Sequence, residues 1–120
     1  MKNNGGTDCD KLNEILFRLP PLPIKSGGIS ITRDLIKTTI QILNEEPTKT
    51  LPQNSRKDIK DRTPDGLDHR IKDRMKNNMM TACFVSNILA EAGIVEIVTI
   101  KNPTTSRMVK GTKLKKEWSW

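Results

Sequence analysis

The residues best equipped for chemistry in this chain are cations: Lys101, Arg107, Lys110 and Lys113 fall within residues 101–113, around an Asn102-Pro103-Thr104-Thr105-Ser106 turn signal. Ammonium and guanidinium groups carried on a turn of this kind suit phosphate oxygens, and Thr104, Thr105 and Ser106 add hydroxyl donors. The competing use of such lysines is to keep a strand edge from pairing with another chain. Other chemistries find less support. Cys9 and Cys83 are far apart and His69 is the single histidine, so a closed four-ligand zinc site lacks its protein ligands. Two reduced thiols are expected. Gly27-Gly28 lacks the spacing and trailing Lys-Ser/Thr of a phosphate loop, and no nucleophile–base pattern surrounds His69. The expectation is a non-enzymatic protein with no metal or cofactor.

The net charge of +7 is unevenly placed. Residues 1–48 hold six basic and six acidic side chains, residues 49–78 nine against five, and residues 79–120 six against three. From residue 97 onward, six cations face Glu117 alone. A surplus located this way is what a polyanion selects. Hydrophobic content is 34% and aromatic content 3% over 120 residues, so one small aliphatic core is expected. No apolar run is long enough to span a membrane, and the start Met1-Lys2-Asn3-Asn4-Gly5-Gly6 does not look like a secretory signal. A cytoplasmic (nucleoid-associated) or nuclear location is expected.

The elements that must position these cations can be read from periodicity. Thr7-Asp8-Cys9-Asp10 has capping-box spacing ahead of Leu12, Ile15, Leu16 and Leu19, which predicts a helix over about 8–18. Pro20-Pro21-Leu22-Pro23 ends it as a stiff connector, and Ser26-Gly27-Gly28 reads as a loop. Thr32 caps a second helix, 33–46, whose Leu35, Ile36, Ile40 and Leu43 share a face before Pro47. Residues 48–55 read as an exposed loop, and 55–62 as at most a short helical turn on Ile59. Thr63-Pro64-Asp65 opens a third helix, 64–75, with Leu67, Ile71 and Met75 at intervals of four. The stripe would run on into Met79, Ala82, Val85, Ser86 and Leu89, but Lys76-Asn77-Asn78 favours a break and a separate helix over 79–92. Gly93 stops that helix, Ile94 to Ile100 is a β-branched strand, and 107–114 returns as its partner.

With Asn78 as cap, Thr81 in the first turn, Leu89 near the end and Ala92-Gly93-Ile94-Val95 leading into a hairpin, residues 64–115 resemble winged helix-turn-helix domains. The resemblance implies an α+β fold: a three-helix core with a two-stranded β wing, here spanning 31–115. An extra N-terminal helix and Pro/Gly-rich connector would occupy 1–30, and 116–120 would be a tail carrying both tryptophans, expected to close over the core. It also implies double-stranded DNA as partner, with a role in transcription regulation or as a chromatin or replication accessory. Arg70, Arg74, Lys76, Lys101, Arg107, Lys110 and Lys113 would contact phosphates, and Asn77, Asn78, Thr81 and Asn87 would reach bases. Two features depart from that pattern. The helix 79–92 holds no Arg or Lys, and Phe84, Val85, Ile88 and Leu89 make it apolar over more than half its circumference. RNA or ribosome association therefore stays open, as does a protein–protein role or homodimer through Phe84, Val85 and Ile88.

Overall fold

The computed structural model describes residues 4–26, 29–53, 66–76, 81–102 and 106–119. Among the described residues the chain is an α+β fold of four helices with a small antiparallel sheet and a separate two-stranded hairpin. Helix α1 spans Asn4–Phe17, strands β1 (Ile24–Ser26) and β2 (Ile29–Ile31) pair with each other, and α2 spans Arg33–Glu45. Strand β3 (Thr50–Pro52) precedes α3 (Leu67–Met75) and α4 (Ala82–Glu91), which lead into β4 (Val95–Lys101) and β5 (Met108–Leu114). The sheet order is β3-β5-β4, all antiparallel.

Local chemistry explains most of these boundaries. Thr32 caps α2, its Oγ1 accepting the Leu35 N–H at 3.2 Å, and Leu35, Ile36, Ile40, Ile42 and Leu43 are buried along one side. Helix α4 ends as its glycine requires. Gly93 adopts φ +79°, its N–H donates to Ala90 O, and the Ile94 N–H donates to Leu89 O. That pair of bonds is the Schellman arrangement, completed by burial of both Leu89 and Ile94. Helix α3 stops with Lys76 in the left-handed region, φ 56°, so the expected break between α3 and α4 is present. Helix α3 begins at Leu67 with extended Gly66 as its cap, later than the expected start at 64; Thr63-Pro64-Asp65, the short turn over 55–62 and Asn77-Asn78 lie outside the described residues.

Three expectations are corrected. Helix α1 begins at Asn4, so Thr7 to Asp10 lie inside it rather than capping it. Ser26, expected in a loop, is the last residue of β1 and stands opposite Ile29 of β2, while Gly27 and Gly28 lie outside the described residues. The supposed loop after Thr48 contains β3, whose Leu51 is 3% exposed. Leu51 is the only apolar anchor in its neighbourhood, too little to show an alternating pattern, and the strand forms because β5 supplies a partner. Pro52 is tolerated there because β3 is an edge strand.

Among the described residues a largely aliphatic core joins the helices and the three-stranded sheet. Ile36, Ile40 and Leu43 of α2, Ile71 of α3, Val85 and Leu89 of α4, and Leu114 of β5 are essentially fully buried together. Ile15 and Leu19, from α1 and the residues just after it, join the same cluster. So does Trp118, in a 3₁₀ turn at Lys116–Trp118, which closes over the core as expected, while Trp120 lies outside the described residues. The Arg18 guanidinium lies 4.9 Å from the Trp118 ring centroid, and Lys11 Nζ donates to Ser119 O. Trp118→Ala is expected to cost about 3–5 kcal/mol in urea unfolding, the range for emptying a buried aromatic site.

The junction of α3 and α4 depends on one carboxylate. Asp68, buried on α3, accepts through Oδ1 from the Thr81 N–H at 2.9 Å, the Ala82 N–H at 3.0 Å and the Thr81 hydroxyl at 3.3 Å. Those are the unsatisfied donors at the start of α4, capped from a neighbouring helix instead of from the preceding turn. Asp68→Ala is expected to destabilise the fold by about 2–4 kcal/mol, since buried donors lose their acceptor. Asp68→Asn, which keeps one carbonyl acceptor, should recover part of that loss in the same denaturation experiment.

Candidate nucleic-acid interface

The β4–β5 hairpin carries the expected cations, and its register sorts them by face. Opposed pairs run Val95–Leu114, Glu96–Lys113, Ile97–Thr112, Val98–Gly111, Thr99–Lys110, Ile100–Val109 and Lys101–Met108. Successive pairs alternate sides, so Val95, Ile97, Thr99 and Lys101 share one face with Leu114, Thr112, Lys110 and Met108. This is the face on which α4 packs, through a 2.7 Å hydrogen bond between the buried Ser86 and Thr112 hydroxyls. Exposure grows along the row: Val95 and Leu114 are buried, Ile97 is 37% exposed, and Thr99, Lys110, Lys101 and Met108 are exposed. The cationic pair therefore begins where the cover of α4 ends.

Lys113 belongs elsewhere. It stands opposite Glu96 on the other face, beside Thr50 of β3, where a carboxylate offsets its charge. Arg107 lies exposed at the foot of the tip. Its carbonyl accepts the Asn102 N–H at 2.8 Å, and the Ser106 N–H donates to Asn102 O at 2.8 Å. Pro103, Thr104 and Thr105 lie outside the described residues.

The helix candidates separate likewise. Arg70 forms a 2.8 Å ion pair with Glu46, and Arg74 pairs with Glu45, both carboxylates at the C-terminal end of α2. At this point of the surface two acids accompany the two bases, so the Arg70 and Arg74 guanidinium groups contact carboxylates of the neighbouring helix. Half-exposed pairs of this kind contribute under about 1 kcal/mol each. Thr81 is 2% exposed with its hydroxyl committed to Asp68, which removes it from base reading. Lys76 and Asn87 are exposed, whereas Asn77 and Asn78 lie outside the described residues. Of the apolar residues expected to meet a partner, Val85 is fully buried, while Phe84 and Ile88 are half-buried and pack against the core. Among the described residues no His, Cys, Asp and Glu cluster could hold a metal ion, and no helix is long and apolar enough to cross a membrane.

Sequence reasoning missed two residues that shape the site. Asp68 occupies the apolar face of α3 between Leu67 and Ile71, and a lone acid on such a face was the available signal for a cap. Thr112, between Gly111 and Lys113, gave no cue to its pairing with Ser86. Ser106 adopts φ 63°, a conformation that costs a non-glycine residue about 1 kcal/mol or more. Ser106→Gly should accordingly raise the thermal midpoint by a few degrees, read by circular dichroism.

Compared with family models, curated proteins and solved structures, the chain gives no match to any of them.

Proposed function

We propose that this chain is a winged helix-turn-helix module that binds double-stranded DNA without catalysing a reaction, chiefly through the β4–β5 hairpin as its wing. The element order α2-β3-α3-α4-β4-β5, with a β3-β5-β4 sheet, supports that architecture. The observation that carries the binding role is the exposed Lys101–Lys110 row on the α4 side of the hairpin. On this reading the module serves as a transcription regulator or as a chromatin or replication accessory, in the nucleoid or nucleus. Lys101, Lys110 and Arg107 meet phosphates, and α4, without a single Arg or Lys, reads bases only through Asn87 and the residues before it. Sequence preference is then weak, and affinity is governed by charge.

With roughly three phosphates neutralised, log K should fall with log salt at a slope near −3 in an electrophoretic shift series. The Lys101→Ala, Lys110→Ala double variant should reduce that slope by about 2 with unchanged circular dichroism, whereas Lys113→Ala should change it little. A flat salt dependence in the wild type overturns the reading. Duplex RNA and single strands at the same salt provide the comparison that would redirect it to RNA.

A second reading is a subunit that docks on another polypeptide, or on a second copy, through α4. It is favoured by one observation, the half-exposed Phe84 and Ile88 on a helix with no cation. Ile88→Glu should then break the assembly, seen as a change in sedimentation, while the hairpin variants leave it intact.

A further inference from the structure

The two edges of the three-stranded sheet are unlike. The β3 edge is three residues long, and Pro52 supplies no N–H on its outward side. The β4 edge is seven residues, Val95–Lys101, with no proline, no glycine and no residue in the left-handed region. It pairs with β5 without a bulge from Val95–Leu114 to Lys101–Met108. At the ends of this ladder the Lys115 N–H donates to Ile94 O and the Asn102 N–H to Arg107 O. Even-numbered residues of β4 therefore face β5, and Ile97, Thr99 and Lys101 turn their N–H and C=O groups outward. Among the described residues none of these outward groups has a backbone partner, and all three residues are exposed.

Sheets usually blunt such an edge with lysines, prolines or bulges. Here Lys110 and Lys113 stand on the central strand β5, and Lys101, the last residue of β4, is the one hairpin lysine on the edge. We infer that the outer edge of β4 pairs antiparallel with the β4 of a second copy of this chain, about a two-fold axis through Thr99.

Three features select a second copy. First, the backbone groups are self-complementary. Pairing Ile97 with the partner's Lys101, Thr99 with the partner's Thr99, and Lys101 with the partner's Ile97 closes roughly six hydrogen bonds and leaves no donor over. Second, the side chains match. The half-buried Val98 meets the partner's Ile100, and the reverse, in non-hydrogen-bonded pairs where side chains lie closest. On the α4 side threonine meets threonine, and Ile97 lies against the alkyl stem of the partner's Lys101.

Third, the charges stay apart. A parallel, in-register edge would set lysine on lysine at 101 and glutamate on glutamate at 96. The antiparallel register separates the two Lys101 residues by four strand positions, about 14 Å. The two Lys110 residues, each one strand beyond Thr99, are also separated by about 14 Å, past the screening length at physiological salt. The contact is isologous and closed, and the merged sheet ends at β3 on both sides, where Pro52 opposes further addition. It uses neither Phe84 nor Ile88 and is independent of the DNA-binding proposal.

The test is sedimentation equilibrium of the full chain, with amide hydrogen exchange followed against concentration. We expect a reversible dimer with Kd on the order of 0.1 mM, as suits a contact smaller than the standard interface. Between about 20 µM and about 1 mM, protection of the Ile97, Thr99 and Lys101 amides should rise several-fold, while Val98 and Ile100, which donate to β5, stay unchanged. Thr99→Lys sets like charges together on the axis and should weaken the dimer at least about ten-fold with unchanged circular dichroism. Thr99→Glu should do the same, and mixing the two variants should restore association to at least the wild-type level. Ile88→Glu should leave this dimer intact. A monomer at about 1 mM would overturn the inference and leave the edge to a strand of another polypeptide. A dimer that neither charged variant weakens, or concentration-dependent protection on α4 in place of β4, would overturn it equally.

Discussion

The Asp68 carboxylate is the interaction on which the geometry of this molecule rests. Its Oδ1 gathers two backbone N–H groups and a hydroxyl at the start of α4, and its own backbone N–H donates to Gln53 O next to β3. Gln53 in turn donates its N–H to Lys110 O on β5. One continuous path of hydrogen bonds therefore runs from the hairpin through the edge strand and α3 to α4. A buried acid is costly unless its acceptor capacity is used, and here the donors of a helix terminus use that of Oδ1. The same anion both satisfies that terminus and sets the angle between two helices.

Charge is divided between that framework and the hairpin. Around α2 and α3, basic side chains meet acidic ones: Arg70 with Glu46, Arg74 with Glu45, and Lys72 and His69 near Asp73. Along β4 and β5, Lys113 faces Glu96, whereas Lys101 and Lys110 face Met108 and Thr99. A residue count sees a broad basic half of the chain. On the α4 side of the hairpin the exposed cations form one row, Lys101 and Lys110, and the DNA-binding proposal stands on that row.

How much was legible in the sequence depended on how local the governing physics is. Helix α2 could be read from Thr32, four apolar residues and a proline, because capping and periodicity act within a few residues. The end of α4 could be read from Gly93 for the same reason, and the β4–β5 hairpin from its β-branched run and turn. Strand β3 could not, since Leu51 has no periodic neighbours and its pairing with Thr112 spans most of the domain. The engagement of Arg70 and Arg74 was hidden for a related reason. Their partners are 24 and 29 residues away, and only the packing of α2 on α3 brings the carboxylates near. Thr81 looked like a surface residue of a first helical turn until Asp68 claimed its donors.

The buried hydroxyl pair of Ser86 and Thr112 has a consequence for how the ribbon is built. Two alcohols sealed in an aliphatic interior satisfy each other only when their strand and helix meet at one longitudinal setting. Slipping β5 by a single residue would bring Gly111 or Lys113 to that spot, stranding one alcohol or forcing an ammonium into the interior. A contact that adds little to overall stability thereby acts as a gauge, penalising misaligned strands and holding the two lysines at a constant reach from the helical layer.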